Sequence, residues 1–197
     1  MLKRIFDIIC SLSGIIILSP LFIGISLLII INSGFPVFYF QTRVGKGNKD
    51  FKLFKFRTMF ANSDKKGLLT VGGRDSRITP VGYYLRKLKL DELPQLFNVL
   101  SGTMSLVGPR PEVRKYVDMY NSQQKMVLDA KPGITDYASL DYINESELLA
   151  KSEDPEKTYI NEVMPAKLQL NLKYINESGL FTDLTIILRT IFKIIKG

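Results

Sequence analysis

Residues 8–31 are 24 consecutive positions without one charged side chain. A run beyond about 18 apolar residues reaches the length of a membrane-embedded helix. In the middle of the run stand Ser19 and Pro20. Proline lacks the backbone N–H and crowds the preceding turn, at a cost of about 3 kcal/mol inside a regular helix. A serine beside it can bond the carbonyl that proline releases, which sharpens a bend. Basic residues flank both ends, Lys3 and Arg4 before, Arg43, Lys46 and Lys49 after. The positive-inside tendency then sets both ends on the cytosolic side. Two arrangements satisfy these features: a helix–break–helix hairpin entering and leaving one leaflet, and a kinked helix that spans. A cleaved signal peptide fits worse, because its apolar core is only about 7–15 residues long.

The charge distribution points the same way. The 197 residues carry a net charge of +8 and contain no histidine and one cysteine, Cys10. That excludes Ser-His-Asp and Cys-His catalysis, imidazole metal sites, internal disulfides and CxxC chemistry. Residues 1–60 hold a net +6 and residues 61–197 only +2. The excess therefore surrounds the apolar run, unlike a nucleic-acid binder, whose basic residues cover the folded part. No nucleic-acid partner is expected.

Further along, residues 36–40 and 51–56 are rich in β-formers, with turn residues between them, and read as a hairpin. Residues 61–77 are polar and loop-like. Thr79-Pro80 opens a helix as N-cap and first-turn proline. In residues 90–100, Leu93, Leu96, Phe97 and Leu100 follow helical spacing, with Asp91 and Glu92 at the mouth. Two readings of these acids stay open. They cap the helix and complement its dipole, or they hold Mg²⁺ and attack a phosphorus, with Arg86, Lys87 and Lys89 nearby. In Pro109-Arg110-Pro111 the prolines restrict the backbone around a guanidinium suited to phosphate, although a solvated surface turn reads equally well. Residues 112–130 look helical, 141–154 resemble a polar surface excursion, and 155–176 form a helix with a break at Pro165. In residues 180–196, Leu180, Leu184, Ile187, Leu188, Ile191 and Ile195 share one face, with Arg189, Lys193 and Lys196 off its centre. This basic amphipathic helix suits an anionic membrane surface or the core.

The motifs in order resemble the bacterial sugar transferases. They include Lys3-Arg4 with Asp7, Ser19-Pro20, Gln41 with Arg43, Lys55-Phe56-Arg57-Thr58-Met59, Asp75 with Arg77, Leu90-Asp91-Glu92-Leu93-Pro94-Gln95-Leu96, Pro109-Arg110-Pro111 and Lys131-Pro132-Gly133-Ile134-Thr135. The chain is similar, more narrowly, to the small monotopic polyprenyl-phosphate phosphoglycosyl transferases. The resemblance implies a re-entrant hairpin broken at Ser19-Pro20, over residues 1–35. It implies a cytosolic catalytic domain over residues 36–197, lying on the bacterial inner membrane and ending in the amphipathic helix. The expected fold is helix-rich α+β with a small β element and interfacial helices.

The implied reaction moves a sugar-1-phosphate from a UDP-sugar to polyprenyl phosphate and releases UMP. It starts the assembly of a surface polysaccharide or glycoconjugate. The resemblance makes Asp91 the nucleophile and a Mg²⁺ ligand, with Glu92 completing the dyad and a covalent aspartyl phosphosugar as intermediate. It puts Pro109, Arg110 and Pro111 at the nucleotide-sugar. Lys55, Arg57, Arg77, Arg86 and Arg110 are the basic candidates for phosphate contact, Arg110 and Arg86 foremost. Membrane lipids and downstream glycosyltransferases are the expected partners. A non-catalytic membrane adaptor of a polysaccharide-assembly complex is the alternative. The chain departs from the family pattern at Asp136-Tyr137-Ala138-Ser139, where many members have Gly-x-Ala-Gln. It also lacks the additional N-terminal helices of the large members, which makes a minimal catalytic unit the expectation.

Overall fold

The computed structural model describes residues 2–61, 63, 69–72 and 75–196. The architecture is helix-rich α+β with two small sheets. The polar loop expected over 61–77 lies partly outside the described residues.

The apolar run forms α1 (Leu2–Ile17) and α2 (Ser19–Ser33). The two are bent by 59°, and among the described residues no single helix is long and apolar enough to cross a membrane. The cause of the bend is local. Pro20 has no N–H for the carbonyl of Ile16, and the Ser19 hydroxyl donates to that oxygen instead at 2.8 Å. Much of the pair's outer surface is apolar and exposed, including Ile9, Ile17, Ile23 and Ile31. Its inner side joins the core: Phe22, Ile25 and Ile29 pack with Phe56 and Leu85.

Lys3 and Arg4, two of the basic residues flanking the apolar run, join Asp7 in clamping α1 onto the body. Arg4 donates to the carbonyls of Val99 and Leu100, at 2.6 and 2.9 Å. Lys3 reaches the Val107 carbonyl and the buried Asp183 carboxylate. Buried Asp7 accepts from the Ser105 hydroxyl and the Leu106 N–H.

Strands β1 (Phe38–Val44) and β2 (Asp50–Phe56) pair antiparallel, as the turn chemistry between them predicts. Helix α3 (Pro80–Lys87) starts at Thr79, whose side chain accepts from Gly82 N–H, with Pro80 in the first turn. Gly82 is packed on the chain: a Cβ there would meet the Thr58 carbonyl oxygen at 2.1 Å. The helix expected over 90–100 divides into a 3₁₀ turn (Leu90–Glu92) and α4 (Gln95–Ser101). Lys89, in the left-handed region at φ 56°, turns the chain before the acids, and no side chain caps α4. Asp91 is therefore not a side-chain cap of α4.

Strand β3 (Ser105–Val107) pairs parallel with β4 (Gly133–Thr135). Between them residues 112–130 supply only one short helix, α5 (Arg114–Val117), and a 3₁₀ stretch, because the tyrosines and valines there pack into the core instead of lining a helix face. Then come α6 (Tyr137–Asp141) and α7 (Glu145–Ala150). The stretch over 141–154 is not a free excursion. Leu149 is buried, Glu145 pairs with Lys167 at 2.6 Å, and the Ser146 carbonyl accepts from Gly72 N–H. Helix α8 (Pro155–Thr158) runs through a π turn (Tyr159–Val163) into α9 (Met164–Glu177). Pro165 breaks the regular ladder here, and the wider turn absorbs the missing donor.

The last helix, α10 (Leu180–Lys196), carries its two environments on different sides. Asp183 and Ile186 are buried and Ile187 packs against the core, while Leu180, Phe181, Leu184, Leu188, Ile191, Phe192 and Ile195 are exposed. Apart from Ile187, the apolar stripe thus faces outward, and a mixed face centred on Asp183 and Ile186 docks on the protein.

Candidate active site

The acids of the 3₁₀ turn differ in their surroundings although they are adjacent. Glu92 is held by two cations. Arg110 engages it in a bidentate pair, with Nη1 3.1 Å from Oε2 and Nη2 on Oε1. Lys55 Nζ, from the end of β2, reaches Oε1 at 3.1 Å. Burial pushes the Glu92 carboxyl upward, but the fields of Arg110 and Lys55 outweigh it and hold it well below the ordinary carboxylate range. Lys55 is itself pulled below the usual lysine value, because the cost of burial exceeds the help from Glu92.

Asp91 is 8% exposed, and among the described residues no donor hydrogen-bonds its carboxylate. Burial first, and the charge of Glu92 second, raise its carboxyl above the ordinary value, against the pull of Lys55, Arg86 and Lys89. The pair therefore consists of one tightly paired carboxylate and one with lone pairs uncommitted to protein, surrounded by cations. A hard cation or an electrophilic phosphorus suits the second of these.

Arg110 stands in the loop leaving β3, between buried Pro109 and Pro111. The loop is stitched down from several sides. Gly133 N–H donates to the Pro109 carbonyl at 3.0 Å, and Gly108 N–H to the Thr135 carbonyl at 3.0 Å. Arg43 donates to the Pro111 carbonyl at 3.1 Å and pairs with Glu112 at 2.8 Å. The Tyr159 hydroxyl donates to the other Glu112 oxygen.

The structure thus brings Asp91, Glu92, Lys55, Arg110, Pro109 and Pro111 into one place. Arg86 borders it: its field reaches Asp91, and its guanidinium donates to the Thr70 hydroxyl at 2.9 Å. Arg77 is bound to Asp75 and to the Leu69 carbonyl. Arg57 lies elsewhere. It donates to the carbonyls of Ser33, Gly34 and Phe35, tying β2 to the end of α2. Residues not foreseen as parts of the site are Arg43, Glu112, Tyr159 and Asp136, all of which brace the Arg110 loop. Gln41 with Arg43 was visible as a motif, but nothing in the sequence joins it to Glu112, 69 residues away in the chain.

Comparison with known proteins shows the family. The chain is 38% identical, over its whole length, to the UDP-N-acetylgalactosamine-undecaprenyl-phosphate N-acetylgalactosaminephosphotransferase of Aeromonas hydrophila, covering 44% of that protein. It is 34% identical over 98% of its length to the UDP-glucose:undecaprenyl-phosphate glucose-1-phosphate transferase of Escherichia coli (strain K12), covering 40% of it. It is 33% identical over 97% of its length to the exopolysaccharide production protein ExoY of Rhizobium meliloti (strain 1021), covering 84%. The chain thus spans less than half of the first two relatives and most of the third. With residues 1–197 matching the family throughout, the chain belongs to the bacterial sugar transferases.

Proposed function

We propose that this chain transfers a sugar-1-phosphate from a UDP-sugar to polyprenyl phosphate, with UMP as the first product. The observation that carries the reading is Asp91: a buried carboxylate without a donor among the described residues, next to a Glu92 locked by Arg110 and Lys55. An oxygen of Asp91 attacks the phosphorus that bears the sugar. The bond from that phosphorus to the bridging oxygen breaks, and the oxygen departs with UMP. An oxygen of the polyprenyl phosphate then attacks the aspartyl phosphosugar, frees the carboxylate and forms the lipid diphosphate-linked sugar. Splitting the transfer in this way lets a soluble donor and a lipid acceptor react in turn. Arg110, Lys55 and Arg86 spread the charge that develops on the donor's phosphates.

Mg²⁺ fits Asp91 by donor type. Among the described residues no three acidic, cysteine or histidine side chains gather into a metal cage. A Mg²⁺ held by one carboxylate and substrate phosphates is that ion's common mode. When bound, it would supply charge stabilisation to the departing diphosphate oxygens.

The site faces a membrane in this reading. The exposed apolar residues of the bent α1–α2 pair and the outward stripe of α10 support embedding in the cytosolic leaflet of the inner membrane. Reporter cysteines at Leu2 and Gly45, in a Cys10→Ala background, test the topology. Both are expected to label from the cytosolic side; labelling from opposite sides would show a span. The reaction is tested by incubating the purified chain with a panel of UDP-sugars, Mg²⁺ and undecaprenyl phosphate. UMP release that needs the lipid for repeated turnover is expected. A folded chain that releases no UMP with any of the sugars refutes the reading.

A further inference from the structure

Pro109 and Pro111 have no backbone N–H, so Arg110 supplies the single main-chain donor of that tripeptide. Its acceptor is Asp136 Oδ2, at 3.2 Å. The other oxygen, Oδ1, accepts from Ser139 N–H at 2.6 Å and caps α6. Asp136 is 0% exposed, and no lysine or arginine side chain pairs with it among the described residues. A buried carboxylate without an ionic partner is costly. Capping alone does not require the charge, since serine, threonine or asparagine caps equally well. What a smaller capping residue lacks is the reach to the Arg110 N–H.

The tripeptide is then held at three points: Pro109 O by Gly133, Arg110 N by Asp136 and Pro111 O by Arg43. The first two fasteners come from β4 and the residue that follows it. We propose that Asp136 is a positioning residue for Arg110, fixing its main chain so that the guanidinium meets Glu92 and the donor's phosphates. Its part in catalysis rests on the transferase reading; the tether itself does not.

Asp136→Ser separates the two duties, because serine keeps the α6 cap and cannot span to Arg110. Hydrogen–deuterium exchange of the detergent-purified chain reads the tether directly. The Arg110 amide is expected to exchange about tenfold faster or more, with α6 unchanged. Unchanged exchange in a folded variant overturns the proposal. Kinetically, KM for the UDP-sugar is expected to rise about tenfold and kcat to fall by less. Asp136→Asn, which retains one acceptor oxygen, is expected to lie between, and it serves if the serine variant does not fold. In an Arg110→Ala background Asp136→Ser is expected to add nothing, and losses that multiply overturn the positioning role. If the unaltered chain releases no UMP, the transferase reading fails while the exchange result still decides the tether.

Discussion

Asp91→Asn is expected to lower turnover on the order of 10⁴-fold or more while leaving the fold intact, the combination that marks a nucleophile. The replacement is isosteric, and it removes no hydrogen bond, because the Asp91 carboxylate has no donor among the described residues. It does remove a charge that burial and Glu92 disfavour. The sign follows from linkage. A carboxyl whose folded pKa is raised contributes most stability below its unfolded value and loses it as pH rises through the folded one. At pH 7 ionised Asp91 therefore opposes folding, and the asparagine variant should melt at the same temperature as the parent or higher. Glu92 behaves oppositely. Its depressed pKa gives stability that is present above the unfolded value and lost as the solution is acidified through the folded one. Thermal melts and UMP assays of Asp91→Asn and Glu92→Gln at pH 7 separate the two. Full activity in Asp91→Asn removes it as nucleophile. A lower melting temperature for Asp91→Asn than for Glu92→Gln contradicts the electrostatic assignment.

Gly133→Ala is expected to be the most damaging single methyl addition near the site. A Cβ there would sit 2.0 Å from Gly108 N and 2.6 Å from Gly108 O. Gly108 is equally confined, since a Cβ on it would lie 2.3 Å from the Lys131 carbonyl oxygen. These obstacles are backbone atoms in the segments just after β3 and just before β4, not the flexible end of a side chain, so the two segments must separate. Such overpacking costs about 3 kcal/mol. For a chain of this length that lowers the melting temperature by about 6–12 °C. Separation also moves the Pro109 carbonyl, which Gly133 N–H holds, and with it Arg110. Differential scanning fluorimetry in detergent measures the shift, and a change of less than about 2 °C would contradict the close approach.

Local chemistry was legible along the chain. Ser19-Pro20 announced a bend, and Ser19 bonds the carbonyl that Pro20 cannot. Thr79-Pro80 announced a helix start and provides one. The apolar spacing of 93, 96, 97 and 100 announced a helix, although Pro94 and the left-handed Lys89 place its first regular turn after the acids. Less could be seen where a residue's role depends on distant chain. Arg57 and Arg110 look alike as arginines next to motifs; one braces a helix end and the other pairs with Glu92. Lys3 and Arg4 read in the sequence as flanking charges of the apolar run, and in the structure they grip backbone carbonyls about 100 residues away.

The amino-acid sequence alone determined the apolar bent pair, the order of motifs and the chemical types present at the site: carboxylate, lysine and arginine, with histidine absent. Those follow from neighbouring residues, whose steric and hydrogen-bonding preferences act over one or two turns. Only the tertiary structure decided which of two adjacent acids is paired. Glu92 meets Lys55 and Arg110, 37 and 18 positions away, whereas Asp91 is buried without a hydrogen-bond donor among the described residues. It also decided that the outward stripe of α10 differs from the face that docks, and that Asp136 reaches Arg110. Coulombic and hydrogen-bond energies fall steeply with distance and rise with burial, and both are set by packing between remote segments.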